Sequence, residues 1–261
     1  MTIAHKLSYL FPKFLRNRLK RPWHNLELLI YFLKSRGRIS YSSEIGNIYA
    51  SKPIVGSKNK KRLPIVIRSI RELKRWMAFG RENNDILYNW LLNLKNCNSL
   101  WDIGSSNGLE GFMVNFLHDS TIVFVEPFTP SIESVLKTNF LIESRLKKKL
   151  DTEIIQAACD DKKGFERLIN HTKPVAGETY NSVENGISDY CDGGRQKMSK
   201  KSFQWIKKVT LDEVFMDMKV EPPTHLKVDV DGLEMRVLRG GKQVMKYEGL
   251  LECAIEVNDN N

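Results

Sequence analysis

The sequence predicts an α/β protein with a Rossmann-like sheet that is mostly parallel and has helices on both faces. Two observations lead to this prediction. From residue 63 onward, apolar runs of strand length alternate with helical segments, and the first two core runs end in an acidic residue. Strands joined through helices run parallel, because each helix brings the chain back to the side of the sheet where the next strand begins. With 41% hydrophobic residues, the 261-residue chain can bury one sizeable core.

Residues 1–62 predict a basic and partly helical N-terminal arm. Apolar residues from Leu7 to Leu19 recur at helical spacing, with basic residues mostly on the other side, and Pro12 breaks the predicted helix. A second, almost wholly apolar helix is predicted from Leu26 to Lys34. Residues 36–61 are rich in Gly, Ser and Asn and predict an irregular connector with one hairpin at most.

The positive charge of the chain is concentrated in this arm. Residues 1–75 hold 18 Lys or Arg and three acidic residues, a net charge of +15, which leaves −5 of the total of +10 for the remaining residues. A basic arm on a slightly acidic domain disfavours nucleic acid as a partner and favours an anionic surface, such as peripheral contact with the inner face of a membrane. The alternative is that the arm packs on the domain and its charges are only solvated.

Residues 63–261 are predicted to form the folded domain, interrupted by an insertion at about residues 160–223. The insertion includes a hairpin-like portion from Phe203 to Leu211 and a polar loop from Gly177 to Gly194, which is a candidate lid for substrate recognition. The predicted elements are an edge strand Ile65 to Ile67, helix Ile86 to Leu94, strand Leu100 to Ile103, helix Leu109 to Leu117, strand 121–126, helix 131–139, strands 152–157 and 226–230, helix 233–246 and strand 250–257.

The cysteines and the apolar runs indicate a cytoplasmic protein. The four cysteines are scattered, without a C-x-x-C pair or a nearby pair of histidines, so reduced thiols are expected instead of disulfides or a metal site. The sequence begins without a secretory signal pattern. Its longest N-terminal apolar run is much shorter than the ~20 residues that a membrane span needs.

The turn after the first core strand is the most informative segment, with the sequence L-W-D-I-G-S-S-N-G. Gly104 and Gly108 let the backbone approach a ligand, and Glu126 at the end of the next strand can accept both hydroxyls of a ribose. Ser106 replaces the middle glycine of dinucleotide-binding turns, and Asp102 would repel a phosphate. Asp102 instead suits the methionine end of S-adenosylmethionine, which is cationic and lacks phosphate. The alternative is an ordinary strand–turn–helix without a ligand.

Acidic residues after other strands are expected at the same edge of the sheet. Asp160, with Ala158 in the same turn, is expected to flank the adenine. Lys227 and Asp229 lie on one face of a strand, and Asp229 is the candidate general base or, with a divalent metal, a metal ligand. Glu234 in the following helical turn has either a direct role or a favourable interaction with the helix dipole. The alternative for Lys227 and Asp229 is a structural ion pair.

The chain resembles the FkbM-type methyltransferase family. H-L-K-V-D-V-D-G-L-E-M-R-V-L-R-G-G from His225 is similar to the family pattern I-K-I-D-x-E-G-x-E-x-x-V-L-x-G. The resemblance covers roughly Trp76 to Asn258, and the order of its motifs makes it specific. The other motifs are R-E-N-N-D-I-L-Y-N-W from Arg81, D-I-G-x-x-x-G, V-E-P, Asn139, A-A-C-D-D-K-K-G from Ala157, T-L-D-E-V-F from Thr210 and A-I-E-V-N from Ala254.

The resemblance implies a class I methyltransferase fold with S-adenosylmethionine as cofactor. It further implies O-methylation of a hydroxyl on a sugar, a glycan or a secondary metabolite. Two departures bear on the substrate: Ser105 to Asn107 replaces Ala-Asn-hydrophobic, and Asp231 replaces Glu.

Two other functions are compatible with the sequence. A dinucleotide or nucleotide-sugar enzyme could use a similar sheet, although Ser106 and Asp102 disfavour it. A non-catalytic adaptor with a degenerate methyltransferase fold could act through the basic arm. The few residues after Glu256, where enzymes of this class usually add a hairpin, favour that alternative.

Overall fold

The computed structural model describes residues 39–54, 62–80, 86–170, 181–183, 202–230 and 232–257. The predicted arm helices, Asp231 and most of the predicted loop Gly177 to Gly194 lie outside these residues. The elements in chain order are β1 (Ile39–Ser42), β2 (Asn47–Pro53), β3 (Arg62–Val66), α1 (Ile70–Ala78), α2 (Ile86–Leu92), β4 (Ser99–Ile103), α3 (Leu109–His118), β5 (Thr121–Val125), α4 (Thr129–Leu146), β6 (Thr152–Ile155), β7 (Ala158–Cys159), β8 (Gly164–Asn170), β9 (Asn181–Val183), β10 (Ser202–Val209), α5 (Leu211–Asp217), β11 (His225–Val228), α6 (Glu234–Arg239), a 3₁₀ helix (Val244–Lys246) and β12 (Glu252–Ile255).

Five strands form a parallel central sheet in the order β12–β11–β4–β5–β6. The chain runs from β4 to β5 and β6 on one side and later returns to β11 on the other side of β4. The strand order therefore reverses at β4, and open α/β sheets bind their ligands beyond the carboxyl ends of the strands at such a switch point. The predicted Rossmann-like α/β sheet is confirmed.

Both faces of this sheet are covered by apolar side chains. Successive residues of a strand point to opposite faces, so the apolar runs of β4 and β5 supply both halves of the core. One half contains Leu100, Ile122 and Phe124 with residues of α1 and α3, namely Leu73, Trp76, Leu109, Phe112 and Met113. The other half contains Trp101, Ile103, Val123 and Val125 with residues of α5 and α6, namely Leu211, Val214 and Val237.

The described part of the insertion forms a four-stranded sheet in the order β7–β10–β8–β9. The predicted hairpin-like portion from Phe203 to Leu211 is wrong, because β10 is one continuous strand that pairs antiparallel with β8 over seven residues. The predicted strand 152–157 is shorter in the structure, because β6 ends at Ile155. The next strand, β7, does not join the central sheet and pairs with β10 instead.

The N-terminal end of the described chain forms an antiparallel sheet of β1, β2 and β3. Helix α1 follows it and begins with a capping box, in which Ser69 Oγ accepts the N–H of Glu72 and the Glu72 carboxylate accepts the N–H of Ser69. Neither α1 nor this three-stranded sheet is predicted as such by the sequence. Helix α1 matters for the site, because it brings Arg75 to the central sheet.

The predicted helix 233–246 ends early, at Arg239. A Cβ atom at Gly240 would collide with the carbonyl oxygen of Asp160, so the chain passes close to β7 at this point. The Gly240 carbonyl oxygen accepts the N–H of Asp212 at 3.0 Å. After this break, the Asp212 carboxylate accepts the N–H of Val244 at 3.1 Å at the start of the 3₁₀ helix.

Candidate active site

The glycine turn and Glu126 meet beyond the carboxyl ends of β4 and β5. Gly104, Ser106 and Gly108 have φ angles of 74°, 51° and 76°, so the turn uses left-handed backbone conformations three times. Glu126 Oε2 accepts the Ser106 N–H at 2.9 Å, and Oε1 accepts the Phe128 N–H at 2.8 Å. The buried Glu126 carboxylate therefore connects the turn to the start of α4, at the place where the sequence predicts ribose binding.

The glycine at position 104 is required by the protein itself. A Cβ atom there would collide with the carbonyl oxygen of Asp229 at the end of β11. The close backbone approach is thus to the neighbouring strand, and the predicted approach to a ligand stays a prediction. At Gly108, a Cβ atom would crowd the rings of Phe112 and Phe124 as α3 begins.

Three buried polar atoms near this turn have no hydrogen-bond partner among the described residues. They are Ser105 Oγ, Asn107 Oδ1 and Glu110 Oε2. A buried polar group without a partner costs about 1–3 kcal/mol, so native proteins leave few of them. Three within six residues leave hydrogen-bonding capacity here that a polar ligand or ordered water can satisfy. This position fits the polar groups of S-adenosylmethionine.

Asp102 and Lys227 form a buried ion pair below the turn. Lys227 Nζ is 3.0 Å from Oδ1 of Asp102, and the two side chains are 3% and 0% exposed. Oδ2 of Asp102 accepts the Gly111 N–H at 3.2 Å. Burial raises the pKa of Asp102, although the Lys227 charge opposes the rise. Burial lowers the pKa of Lys227, but the charges of Asp102 and Asp229 outweigh burial and hold this pKa well above its usual range.

Asp229 lies at the more open end of the same group of charges. Its Oδ2 is 3.4 Å from Lys227 Nζ, and 29% of its side chain is exposed. Burial acts to raise the pKa of Asp229, but the positive charges of Lys227 and Arg75 outweigh it and lower this pKa. Asp229 is therefore ionised at neutral pH. The structure places the predicted Lys227 and Asp229 together with Asp102.

Arg75 and Glu110 belong to the same group of charges but are missed by the sequence analysis. Arg75 Nη2 is 2.7 Å from Glu110 Oε1, with 37% of the Arg75 side chain exposed and 1% of Glu110. Glu110 raises the pKa of Arg75 above its usual range against the effect of burial, with further contributions from Asp229 and Asp102. The available sequence signals are the S-x-x-E capping box of α1 and the position of Glu110 just after the glycine turn.

Asp160 lies in a separate group of charges on the insertion side. Its Oδ2 is 2.9 Å from Lys208 Nζ and 2.6 Å from Arg236 Nη2, and Lys208 also contacts Glu166 at 3.0 Å. Burial acts to raise the pKa of Asp160, but the hydrogen bonds from Lys208 and Arg236 outweigh it and lower the pKa. Ala158 packs half-buried against an apolar cluster nearby. The predicted contact of Asp160 and Ala158 with adenine stays a prediction.

Glu234 closes the turn that precedes α6. Its Oε1 accepts the N–H groups of Val230 at 3.1 Å and Gly232 at 3.0 Å. These contacts give Glu234 a structural task at the end of β11, and a direct role in chemistry stays a prediction.

The described part of the chain contains neither a candidate metal site nor a helix that could span a membrane. No group of three or more His, Cys, Asp or Glu side chains among the described residues is placed to hold a metal ion. The metal alternative for Asp229 therefore gains no support from its surroundings. None of the helices within the described ranges is long and apolar enough to cross a membrane.

Comparison with known families gives one match. The family model described as the methyltransferase FkbM domain matches residues 102–257, which is more than half of the chain. The matched region contains the glycine turn, Glu126, Lys227, Asp229 and the insertion, whereas Arg75 precedes it. Comparison with curated proteins gives no match.

Proposed function

This chain belongs to the FkbM methyltransferase family, and we propose that it transfers a methyl group from S-adenosylmethionine to a hydroxyl of a sugar, a glycan or a secondary metabolite. The observation that carries the proposal is the cluster of unpartnered polar atoms at Ser105, Asn107 and Glu110 beside Glu126. These groups lie at the switch point of a parallel sheet, where open α/β sheets bind their ligands.

The proposed cofactor position divides the site between its two ends. Glu126 at the end of β5 is assigned the ribose hydroxyls, and the turn from Gly104 to Gly108 the methionine end. When bound, S-adenosylmethionine supplies a methyl group on a positively charged sulfur, so the methyl carbon needs no further activation. The task left to the protein is to align the acceptor oxygen with the methyl group and to exclude water.

The acceptor hydroxyl is assigned to Asp229. An alcohol becomes strongly acidic as its oxygen forms the new bond to carbon, so a carboxylate with a low pKa can take the proton late in the reaction. Asp229 is ionised and partly exposed, and Lys227 at 3.4 Å holds its carboxylate in place. In this proposal the O–H proton passes to an Asp229 oxygen as the methyl–oxygen bond forms and the methyl–sulfur bond breaks, so that S-adenosylhomocysteine is the leaving group.

The proposed location is the cytoplasm, where the arm binds peripherally to anionic lipid. This part of the proposal rests on the charge of +15 in residues 1–75 and on the stripe from Leu7 to Leu19. The sugar or glycan acceptor rests on the family resemblance. No metal is included in the proposal.

The test is cofactor binding followed by methyl transfer. Isothermal titration calorimetry with S-adenosylhomocysteine should show one site per chain. Incubation with methyl-labelled S-adenosylmethionine and a panel of sugars, glycans and phenolic metabolites should then give a labelled methyl ether, identified by mass spectrometry. Absence of binding to S-adenosylhomocysteine would contradict the proposal and favour the non-catalytic adaptor.

A further inference from the structure

Arg75 and Glu110 form a charged pair that joins α1 to the glycine turn. The Arg75 guanidinium contacts Glu110 Oε1 at 2.7 Å, and Glu110 is buried in the first turn of α3. Arg75 keeps 37% of its side chain exposed. The contact with Glu110 therefore fixes one side of the guanidinium, while part of the Arg75 side chain stays accessible.

The pair leaves hydrogen-bonding capacity unused on both partners. A guanidinium has five N–H donors, and Arg75 makes a single hydrogen bond within the described residues. Glu110 Oε2 is buried and has no hydrogen-bond partner there. An ion pair that serves stability alone gains most from a bidentate arrangement, in which both carboxylate oxygens accept. The single bond at Glu110 instead leaves one acceptor and several donors side by side.

The surroundings of the pair favour a ligand with net positive charge. Carboxylates outnumber cations in this group of charges. The carboxylates are Asp102, Glu110 and Asp229, and the cations are Arg75 and Lys227. S-adenosylmethionine carries a sulfonium and an amino-acid group, which has an ammonium that donates and a carboxylate that accepts.

We propose that Arg75 and Glu110 bind the amino-acid end of S-adenosylmethionine, with the Arg75 guanidinium on its carboxylate and Glu110 Oε2 on its ammonium. This inference rests on the proposed function. It assigns a cofactor contact to α1, which lies outside the matched family domain. It also explains why the buried Glu110 oxygen has no hydrogen-bond partner among the residues that the structure describes.

The test compares two ligands that differ in this group. S-adenosylhomocysteine has the amino-acid end, and 5′-methylthioadenosine lacks it. Measured by calorimetry, Arg75→Ala and Glu110→Gln should each lower the affinity for S-adenosylhomocysteine about tenfold to a hundredfold, because each removes a charge-assisted contact. Binding of 5′-methylthioadenosine should change less than about twofold, since its contacts lie elsewhere.

Two control variants separate this effect from a general loss of the site. Glu126→Ala should lower the affinity for both ligands by the same factor. Lys74 is an exposed neighbour of Arg75 on α1, and Lys74→Ala should change neither affinity. Equal losses for both ligands in Arg75→Ala would overturn the inference and leave the proposed function standing. Failure of the wild-type protein to bind either ligand would overturn both. If Arg75→Ala does not fold, Arg75→Lys keeps the charge but not the planar fork, and the same comparison decides.

Discussion

Replacing Lys227 with Met should destabilise the protein strongly, because it leaves the Asp102 carboxylate in the core without a cation. Lys227 Nζ is 3.0 Å from Oδ1 of Asp102, and neither side chain is open to water. Removing one partner of a buried ion pair typically costs about 3–5 kcal/mol. Asp229 adds little to this cost, because it is partly exposed and can be hydrated. We therefore expect the free energy of unfolding to fall by about 3–5 kcal/mol at pH 7.

This loss should depend on pH in a defined direction. Burial already raises the pKa of Asp102 against the opposing charge of Lys227, so removal of Lys227 should raise it further. A carboxyl whose folded pKa exceeds its unfolded pKa stabilises the folded state once protonated. The variant should therefore be least stable, relative to wild type, at pH values above the raised pKa of Asp102 in the folded state. It should recover relative to wild type as the pH falls toward the unfolded value of about 4.

Urea unfolding followed by the fluorescence of the buried Trp76 and Trp101 measures this loss at pH 7 and pH 5. The double variant Asp102→Asn with Lys227→Met should recover most of the lost stability, because both charges of this buried pair are then removed. Lys242→Met at an exposed position should stay within about 0.5 kcal/mol of wild type. A Lys227→Met protein that unfolds within about 1 kcal/mol of wild type at both pH values would refute the reasoning.

Three further predictions concern the ligands and the arm. Glu126→Ala should lower the affinity for S-adenosylhomocysteine tenfold or more in calorimetry, since charged hydrogen bonds contribute about 1.5–3 kcal/mol each. Wild-type affinity in this variant would contradict the assignment of Glu126 to the ribose. Asp229→Asn should lower turnover by roughly 10²–10⁴ with cofactor affinity unchanged, whereas normal turnover on the true acceptor would leave Asp229 as a structural ion pair. The full-length protein should sediment with anionic but not neutral vesicles, because each basic residue near the surface contributes about 1 kcal/mol. A protein that starts at Ile39, which keeps the three-stranded sheet, should sediment less, and equal sedimentation of the two would contradict membrane contact through the arm.

The three inner strands of the central sheet, β4, β5 and β11, could be predicted from the sequence because they are buried on both faces. Every residue from Ser99 to Ile103 is buried, so this strand is almost continuously apolar and ends at a glycine turn. Helix α1 is missed because four of its nine residues are charged, although its buried side chains include Leu73 and Trp76. The capping box at Ser69 and Glu72 is the local signal that indicates it.

The insertion was harder to predict because its pairing is not local. Strand β10 finds its antiparallel partner in β8, with Ser202 opposite Asn170 at one end of the ladder. The residues between them include the predicted polar loop, and nothing in the β10 sequence specifies a partner so far away. The apolar alternation of residues 203–209 predicts a strand but leaves open whether it turns back on itself.

In the candidate site as well, the contacts between side chains depend on strand pairing that the sequence does not specify. The sequence predicts that Asp102, Glu126 and Asp229 lie at one edge of the sheet, because each follows or ends a strand. It does not give the register of β11 on β4, which places Lys227 directly opposite Asp102. That register decides the electrostatics of the site. Lys227 offsets the Asp102 charge and Arg75 offsets that of Glu110, so the partly exposed Asp229 is the carboxylate that is left to favour a cationic ligand.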